Sequence, residues 1–117
     1  PAPCIIIPSP AACCECIRAH EQKFSLDFTQ TEATPPIDTA LARQSTFFVT
    51  NTGEADIEAC TEVSADALRW VQGARLPLRP DETKAFIAKY HGKYARIRAY
   101  AAGDGQAEVI FVGQLFS

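Results

Sequence analysis

Apolar and polar residues alternate with a period of two through most of the chain after residue 20, a pattern typical of half-buried β-strands. In the first such stretch Phe24, Leu26 and Phe28 share one face, while the residues between them are polar. Two prolines at positions 35 and 36 end this strand, because proline lacks a backbone N–H group. Further strands are predicted at residues 45–50, 57–63, 68–71, 76–78, 84–88, 94–100 and 107–116.

Turn signals separate these strands at intervals of about 8–12 residues, the spacing expected of antiparallel sandwiches and barrels. The signals are residues 51–53 (Asn-Thr-Gly), 79–82 (Arg-Pro-Asp-Glu) and 103–105 (Gly-Asp-Gly). No stretch shows a helical stripe of apolar residues. We therefore predict an all-β fold, a single antiparallel β-sandwich of jelly-roll type, with Trp70 in its core or between its sheets.

The first twenty residues differ from the rest of the chain. Prolines at positions 1, 3, 8 and 10 exclude both a helix and a central strand, which predicts an extended arm. Ile5, Ile6 and Ile7 supply its bulky apolar side chains, and we expect them to dock into a groove elsewhere. The predicted organisation is an N-terminal connector arm at residues 1–20 followed by the sandwich at residues 21–117.

Composition and charge exclude several classes of function. With 11 Lys+Arg, 14 Asp+Glu and a net charge of −3, the chain lacks the basic character of a nucleic-acid-binding protein. No apolar run approaches the roughly 20 residues that span a bilayer. The chain also lacks a nucleophile elbow and a glycine-rich phosphate loop, so we expect neither an enzyme nor a cofactor.

Five cysteines carry the most distinctive chemistry, and four of them fall on the arm, at Cys4, Cys13, Cys14 and Cys16, whereas Cys60 lies in the predicted sandwich. Zinc binding by Cys13, Cys14, Cys16 and His20 is one interpretation, although no CxxC pair is present. Redox catalysis would need a CxxC pair at the start of a helix. We favour covalent cross-linking by disulfides.

The number of cysteines favours bridges between chains. Adjacent Cys13 and Cys14 would form a strained ring, and Cys14 with Cys16 is little better, so these thiols prefer partners on other chains. An odd number leaves at least one thiol unpaired in each subunit, with Cys4 or Cys60 as the expected one. Covalent links of this kind suit an extracellular fibre.

A basic and aromatic string gives the second candidate site. At strand spacing Tyr94, Arg96, Arg98 and Tyr100 share one face, whereas the alternate positions are Ala or Ile. Aromatic rings stack on sugars and arginine binds oxyanions, so this face is a candidate surface for a glycan or phosphate. An exposed or intersubunit sheet face is the alternative. Residues 1–59 carry a net charge of −5 (3 basic, 8 acidic) and residues 60–117 of +2 (8 basic, 6 acidic), which would favour head-to-tail docking.

Two resemblances add to this interpretation. Residues 47–53, 70–71, 76–83, 93–98 and 109–114 resemble a domain family of unassigned function common in endospore-forming bacteria. The Cys-Cys-Glu-Cys element at residues 13–16, ahead of an all-β domain, is similar to the connector of bacterial endospore appendage subunits. That resemblance implies a jelly-roll subunit that polymerises by strand addition, with Cys13, Cys14 and Cys16 as connector cysteines and Cys60 as an acceptor in the core.

These observations together predict a structural subunit of an extracellular or spore-surface fibre. The subunit would form a helical, head-to-tail homopolymer by arm docking and strand pairing, cross-linked by disulfides. Two alternatives remain open: a monomeric carbohydrate-binding or adhesion module that uses the Tyr94 face, and a zinc-stapled domain.

Overall fold

The computed structural model describes residues 17–40, 42–88 and 92–116, and within them the side chains at 21–40, 45–88 and 92–113. The strands pair antiparallel into one curled sheet, which confirms the predicted all-β fold of jelly-roll type. The strands are β1 (Ile17–Ala33), β2 (Ile37–Asp38), β3 (Ala42–Asn51), β4 (Ile57–Ser64), β5 (Val71–Gln72), β6 (Leu76–Leu78), β7 (Thr83–Ile87) and β8 (Tyr94–Phe116).

Two long strands organise the sheet. β1 has 17 residues and β8 has 23, and the two pair along most of their length. The register shifts once, because the two residue steps from Thr29 to Thr31 in β1 match four steps from Asp104 to Tyr100 in β8. Gln30 has a φ of 69° at this bulge. Bulges bend a strand and increase its twist, so β1 and β8 curl from one half of the sheet into the other.

The bulge corrects the prediction of a turn at residues 103–105. These residues belong to β8, which continues through them instead of reversing. Gly105 is needed there for close packing, since a Cβ atom would lie 2.7 Å from the ring of Phe28. Glycines therefore mark a bend in a strand at this point, which the local sequence does not distinguish from a chain reversal.

Two half-sheets result, joined through β1 and β8. The front half-sheet consists of residues 17–29 of β1, residues 104–116 of β8, β3 and β7, in the order β1–β8–β3–β7. The back half-sheet centres on residues 94–101 of β8. These pair on one side with β2 and the end of β1, and on the other with β4, which also carries β5 and β6.

Both half-sheets contribute to a single core. The rings of Phe47 and Phe111 meet at a centroid distance of 5.2 Å. Leu26 and Phe28 are buried, and Phe24 packs against the cluster, as the alternation in β1 predicts. The other buried apolar residues in this cluster are Ile37, Val49, Ile57, Ala59, Val63, Leu78, Phe86, Ala95, Ile97, Ala99, Ala107 and Val109.

Asn51 ends β3 at the predicted turn and is completely buried. Its side-chain amide donates to the carbonyls of Leu78 (3.0 Å) and Ala55 (2.7 Å), and its backbone N–H donates to Glu82 (3.0 Å). Buried polar groups require such partners, so the side chain of Asn51 ties the end of β3 to the end of β6.

Candidate functional site

The basic and aromatic string lies on the outer face of the back half-sheet. Residues 95, 97 and 99 point into the core, whereas Tyr94, Arg96, Arg98 and Tyr100 alternate with them on the opposite, half-buried face. The register with β4 sets Arg96 opposite Glu62 and Arg98 opposite Cys60. The four predicted residues are therefore neighbours in space, and β4 together with residues 70–75 supplies the rest of the surface.

Glu62 is the centre of this surface. Its side chain is 4% exposed, and it accepts hydrogen bonds from Arg96 Nε (2.7 Å), Arg98 Nε (3.3 Å to each oxygen) and Gln72 Nε2 (2.7 Å). Burial by itself raises the pKa of Glu62. The hydrogen bonds from Gln72 and Arg96 and the charges of both arginines outweigh it, so the pKa lies below its usual value.

Two aromatic rings complete the layer through stacking with arginine. The guanidinium carbon of Arg96 lies 3.8 Å from the centroid of the Trp70 ring, and that of Arg75 lies 3.6 Å from the centroid of Tyr100. Trp70 is half-buried outside the core cluster, so its predicted place in the core or between the sheets is wrong. We call Glu62, Trp70, Gln72, Arg75, Arg96, Arg98 and Tyr100 the arginine–aromatic layer.

Most hydrogen-bonding groups of the layer find their partners within the layer itself. Gln72 Nε2 also donates to the Tyr100 hydroxyl (2.5 Å), and Arg98 Nη1 donates to Thr31 Oγ1 (3.2 Å). Charged and aromatic groups that bind one another in this way rigidify a surface, because each fixes the orientation of the next. The layer therefore joins β1, β4, β5 and β8 across the outside of the back half-sheet.

Cys60 lies in the middle of β4 and is 0% exposed. Burial and the charge of Glu62 raise its pKa, against the opposing charges of Arg75 and Arg98. A thiol needs access and thiolate character to exchange disulfides, and Cys60 has neither in this fold. A bridge from Cys60 to another chain would require the surrounding side chains to move.

The loop between β4 and β5 corrects another prediction. Residues 68–70 are outside any strand, and only Val71 and Gln72 pair with β4. Backbone N–H groups of Arg69 and Leu68 donate to Asp66 Oδ1, and together with the Ser64 hydroxyl they lower its pKa. These bonds compete with strand pairing, as short polar side chains often do. The loop leaves Leu68 81% exposed.

The outer face of the front half-sheet carries an apolar patch on β8, β3 and β7, whereas β1 contributes polar residues such as Lys23, which lies 3.6 Å from Glu108. Strand register places Ile110, Phe48 and Ala85 in one row across β8, β3 and β7, and Val112, Thr46 and Ile87 in the next. Ile87 is 65% exposed and Phe48 39%. We call Phe48, Ala85, Ile87, Ile110 and Val112 the apolar block. Solvent-facing sides of antiparallel sheets are usually polar, so an apolar face of this kind indicates an interaction surface.

Among the residues that the structure describes, β1 (residues 17–29) and β7 are the outermost strands of the front half-sheet. There β1 pairs with β8, and β7 pairs with β3. Edge strands expose backbone N–H and C=O groups that another strand can bind. β1 and β7 lie at opposite edges of the same half-sheet.

A groove of about 510 Å³ opens beside the layer, near the bulge. Tyr100 and Arg75 line one part of it, and Gln30, Asp56 and Glu58 supply polar groups. Arg75 also lies 3.7 Å from Glu58. An aromatic ring among polar side chains is a common setting for small polar ligands.

Several predicted site residues fall outside this description. Cys4, Ile5, Ile6, Ile7, Cys13, Cys14 and Cys16 precede the first described residue, and the side chain of His20 is not described. Among the described residues, no group of three or more His, Cys, Asp or Glu side chains could hold a metal ion. The same residues include no helix with the length and apolarity that crossing a membrane requires.

Two parts of these surfaces were not among the predicted site residues: Glu62, the partner that both arginines share, and the apolar block. Glu62 alternates with Ile57 and Val63 as an ordinary solvent-facing residue would. The block did leave a signal, because Phe47-Phe48 and residues 109–112 (Val-Ile-Phe-Val) are apolar at consecutive positions and so present apolar side chains on both faces of a strand.

Solved structures share the fold. The PBSX exported protein XepA aligns with 85% of this chain and 37% of its own length (14% identity, TM-score 0.61). The SPBc2 prophage-derived protein YomS aligns with 80% of this chain and 94% of its own (13% identity, TM-score 0.54). This chain thus spans little more than a third of XepA.

A Bacillus endospore appendage protein, described as one of a family of disulfide-linked pili, aligns with 83% of this chain and 88% of its own at 10% identity. Its TM-score of 0.46 is too low to bear on how this chain assembles. No curated protein sequence matches the chain. A family model described as a domain of unknown function matches residues 38–115, and the chain therefore belongs to the DUF6385 family.

Proposed function

We propose that this chain is a structural subunit of a self-assembling extracellular fibre. Its copies would join through the N-terminal arm and paired edge strands, and disulfides would then cross-link them. The proposal assigns no catalytic activity to the chain. The observation that carries it is the front half-sheet, whose outermost strands among the described residues are β1 and β7 and whose outer face carries the apolar block.

Strand direction makes the two edges complementary. Neighbours in the order β1–β8–β3–β7 are antiparallel, so β7 runs opposite to β1. If a second copy has the same orientation, its β1 is antiparallel to β7 of the first copy and can extend the sheet. The contact joins two different surfaces and leaves a free edge at each end. Such heterologous contacts propagate as helical filaments unless the rotation closes a ring.

The cysteines would make the polymer covalent. Cys60 is the one cysteine outside the arm and is completely buried, which supports its assignment as the unpaired thiol. The bridges are therefore proposed between arm cysteines of adjacent copies. Each bridge would add roughly 2–4 kcal/mol by the usual measure and would also slow dissociation. Disulfides persist in oxidising surroundings, which is the basis for proposing an extracellular location.

A carbohydrate-binding or adhesion module is the second candidate. The groove beside Tyr100 favours it, since Tyr100, Gln30 and Asp56 offer stacking and hydrogen bonds to a sugar. The stacking of Arg75 on Tyr100 weakens it, because that side of the ring is already covered. If the chain binds a glycan, Tyr100→Ala should abolish that binding and leave filament assembly unchanged. Probing a glycan array with the wild type and with the variant separates the two functions.

Electron microscopy and gel electrophoresis of the purified chain test the fibre. We expect filaments, and a ladder of oligomers on non-reducing gels that collapses to monomer with reductant. Deletion of residues 1–16 should abolish filaments, whereas serine at the four arm cysteines should keep filaments but remove the ladder. A monomer under every condition would refute the proposal, and filaments of the deleted chain would refute the role of the arm.

A further inference from the structure

We propose that the apolar block of the front half-sheet is the docking site for Ile5, Ile6 and Ile7 from the arm of a neighbouring copy. This inference rests on the proposed fibre function and names the surface at which the arm docks. It commits to one occupant, a segment of a second copy of this chain.

The two outer faces of the molecule differ in how much apolar side-chain surface they expose to water. The arginine–aromatic layer pairs its charges and rings with one another on the back half-sheet. On the front half-sheet, apolar side chains face outward at Phe48 and Ile87, which are 39% and 65% exposed. Removing apolar surface from water is favourable, so this face gains from a cover and the other does not.

The spacing of the block matches the arm. Its two rows are two residues apart along β8, from Ile110 to Val112. Two residues along an extended chain span about 6.6 Å, and side chains two apart point to the same side. Ile5 and Ile7 of an extended arm therefore have the same spacing as the two rows. The prolines at positions 3 and 8 bracket this stretch and favour extended backbone.

The direction of β1 favours a neighbour as the source, and the arm is long enough to reach one. The described chain begins at Ile17, which pairs with Phe116 at the end of the front half-sheet. An arm that continues the line of β1 leads off this end, away from the block of its own copy. The ten residue steps from Ile7 to Ile17 reach at most about 33–36 Å. That length lets the arm cross to the front half-sheet of an adjoining copy.

Photo-crosslinking in the assembled chain of residues 1–117 tests whether the arm docks on the apolar block. Ile5→p-benzoylphenylalanine is introduced in an equal mixture of ¹⁴N and ¹⁵N chains, and crosslinked peptides are identified by mass spectrometry after irradiation. We expect crosslinks to peptides that contain Phe48, Ile87 or residues 110–112, with half of them joining ¹⁴N to ¹⁵N chains when subunits are mixed before assembly. Crosslinks within one isotope only would show that the arm folds back on its own copy and would overturn the inference.

Two matched variants supply the control. Ile87→Asp places a charge in the block, and Leu68→Asp makes the same change at an 81% exposed apolar residue outside it. The crosslink yield should fall at least about tenfold in the first variant, equivalent to roughly 1.4 kcal/mol of docking free energy, and stay unchanged in the second. Circular dichroism of both variants verifies that the fold is kept.

The outcomes separate this inference from the proposed function. If filaments form but the arm crosslinks to other surfaces, the docking site is refuted and the proposed fibre function is not. An equal loss of crosslink yield in Ile87→Asp and Leu68→Asp would also refute the docking site, because it would show that the arm has no preference for the apolar block. A chain that forms no filaments under any condition would refute the fibre itself.

Discussion

The outer faces of the two half-sheets differ in their chemistry. On the back half-sheet Glu62 binds Arg96, Arg98 and Gln72 in a layer whose polar groups bind one another. On the front half-sheet the outer face carries the apolar block beside the polar residues of β1. A face that satisfies itself contributes to the stability of the monomer, whereas a face left apolar contributes when another surface covers it.

Among substitutions on the two outer faces, Glu62→Ala should give the largest effect, since it leaves two half-buried arginines without their shared carboxylate. We expect the free energy of unfolding to fall by about 2–3 kcal/mol, near the lower end for a broken buried ion pair because both arginines retain access to water. Chemical denaturation in reductant measures it. Glu58→Ala is the matched control on the same strand face, where Glu58 meets Arg75 at 3.7 Å and both side chains are about half exposed. Its effect should stay below about 0.5 kcal/mol.

Acidification should weaken the same layer. The folded state lowers the pKa of Glu62, so its ionised form contributes stability above the unfolded pKa, near 4.5, and that contribution is lost as the pH falls through the folded pKa. The difference in unfolding free energy between the wild type and Glu62→Gln should therefore shrink as the pH is lowered from about 6 to about 3. Asp66, whose pKa is also lowered, is present in both proteins and cancels. A difference that grows on acidification would contradict this account.

Ile87→Ser should give the smallest effect on the isolated subunit. Ile87 is 65% exposed, so we expect the free energy of unfolding to change by no more than about 0.5 kcal/mol. The adjacent Phe86 is 4% exposed, and Phe86→Ala should cost about 3–5 kcal/mol by leaving a cavity. Self-association, measured by sedimentation in reductant, should weaken in Ile87→Ser. Unaltered association together with a large loss of stability would reverse the roles assigned to the two faces.

The alternation of residues was enough to predict the strands and their buried sides. Strands at residues 57–63, 76–78 and 84–88 are present within one residue of the predicted limits, and the strand predicted at 45–50 begins three residues earlier, at Ala42. Two predictions failed because local signals have more than one structural outcome. The glycines at 103 and 105 serve a bulge, and residues 68–70 follow the hydrogen bonds of Ser64 and Asp66 into a loop.

The candidate surfaces were only partly predictable. The sequence placed Tyr94, Arg96, Arg98 and Tyr100 on one face, because parity along a strand follows from the backbone. It did not identify Glu62 as their partner, since β4 and β8 lie more than 30 residues apart and their register depends on the whole sheet. Cys60 shows the same limit: its parity sets it opposite Ile57 and Val63, yet neighbours from other strands bury it.

By itself, therefore, the sequence determined the all-β class, the parity of each strand and the concentration of cysteines on the arm, all of which follow from composition and spacing along the chain. The tertiary structure decided which outer face pairs its polar groups with one another, which carries an apolar block and which of the described strands lie outermost in the sheet. Those properties depend on strand order and register, which bring together residues from distant parts of the chain.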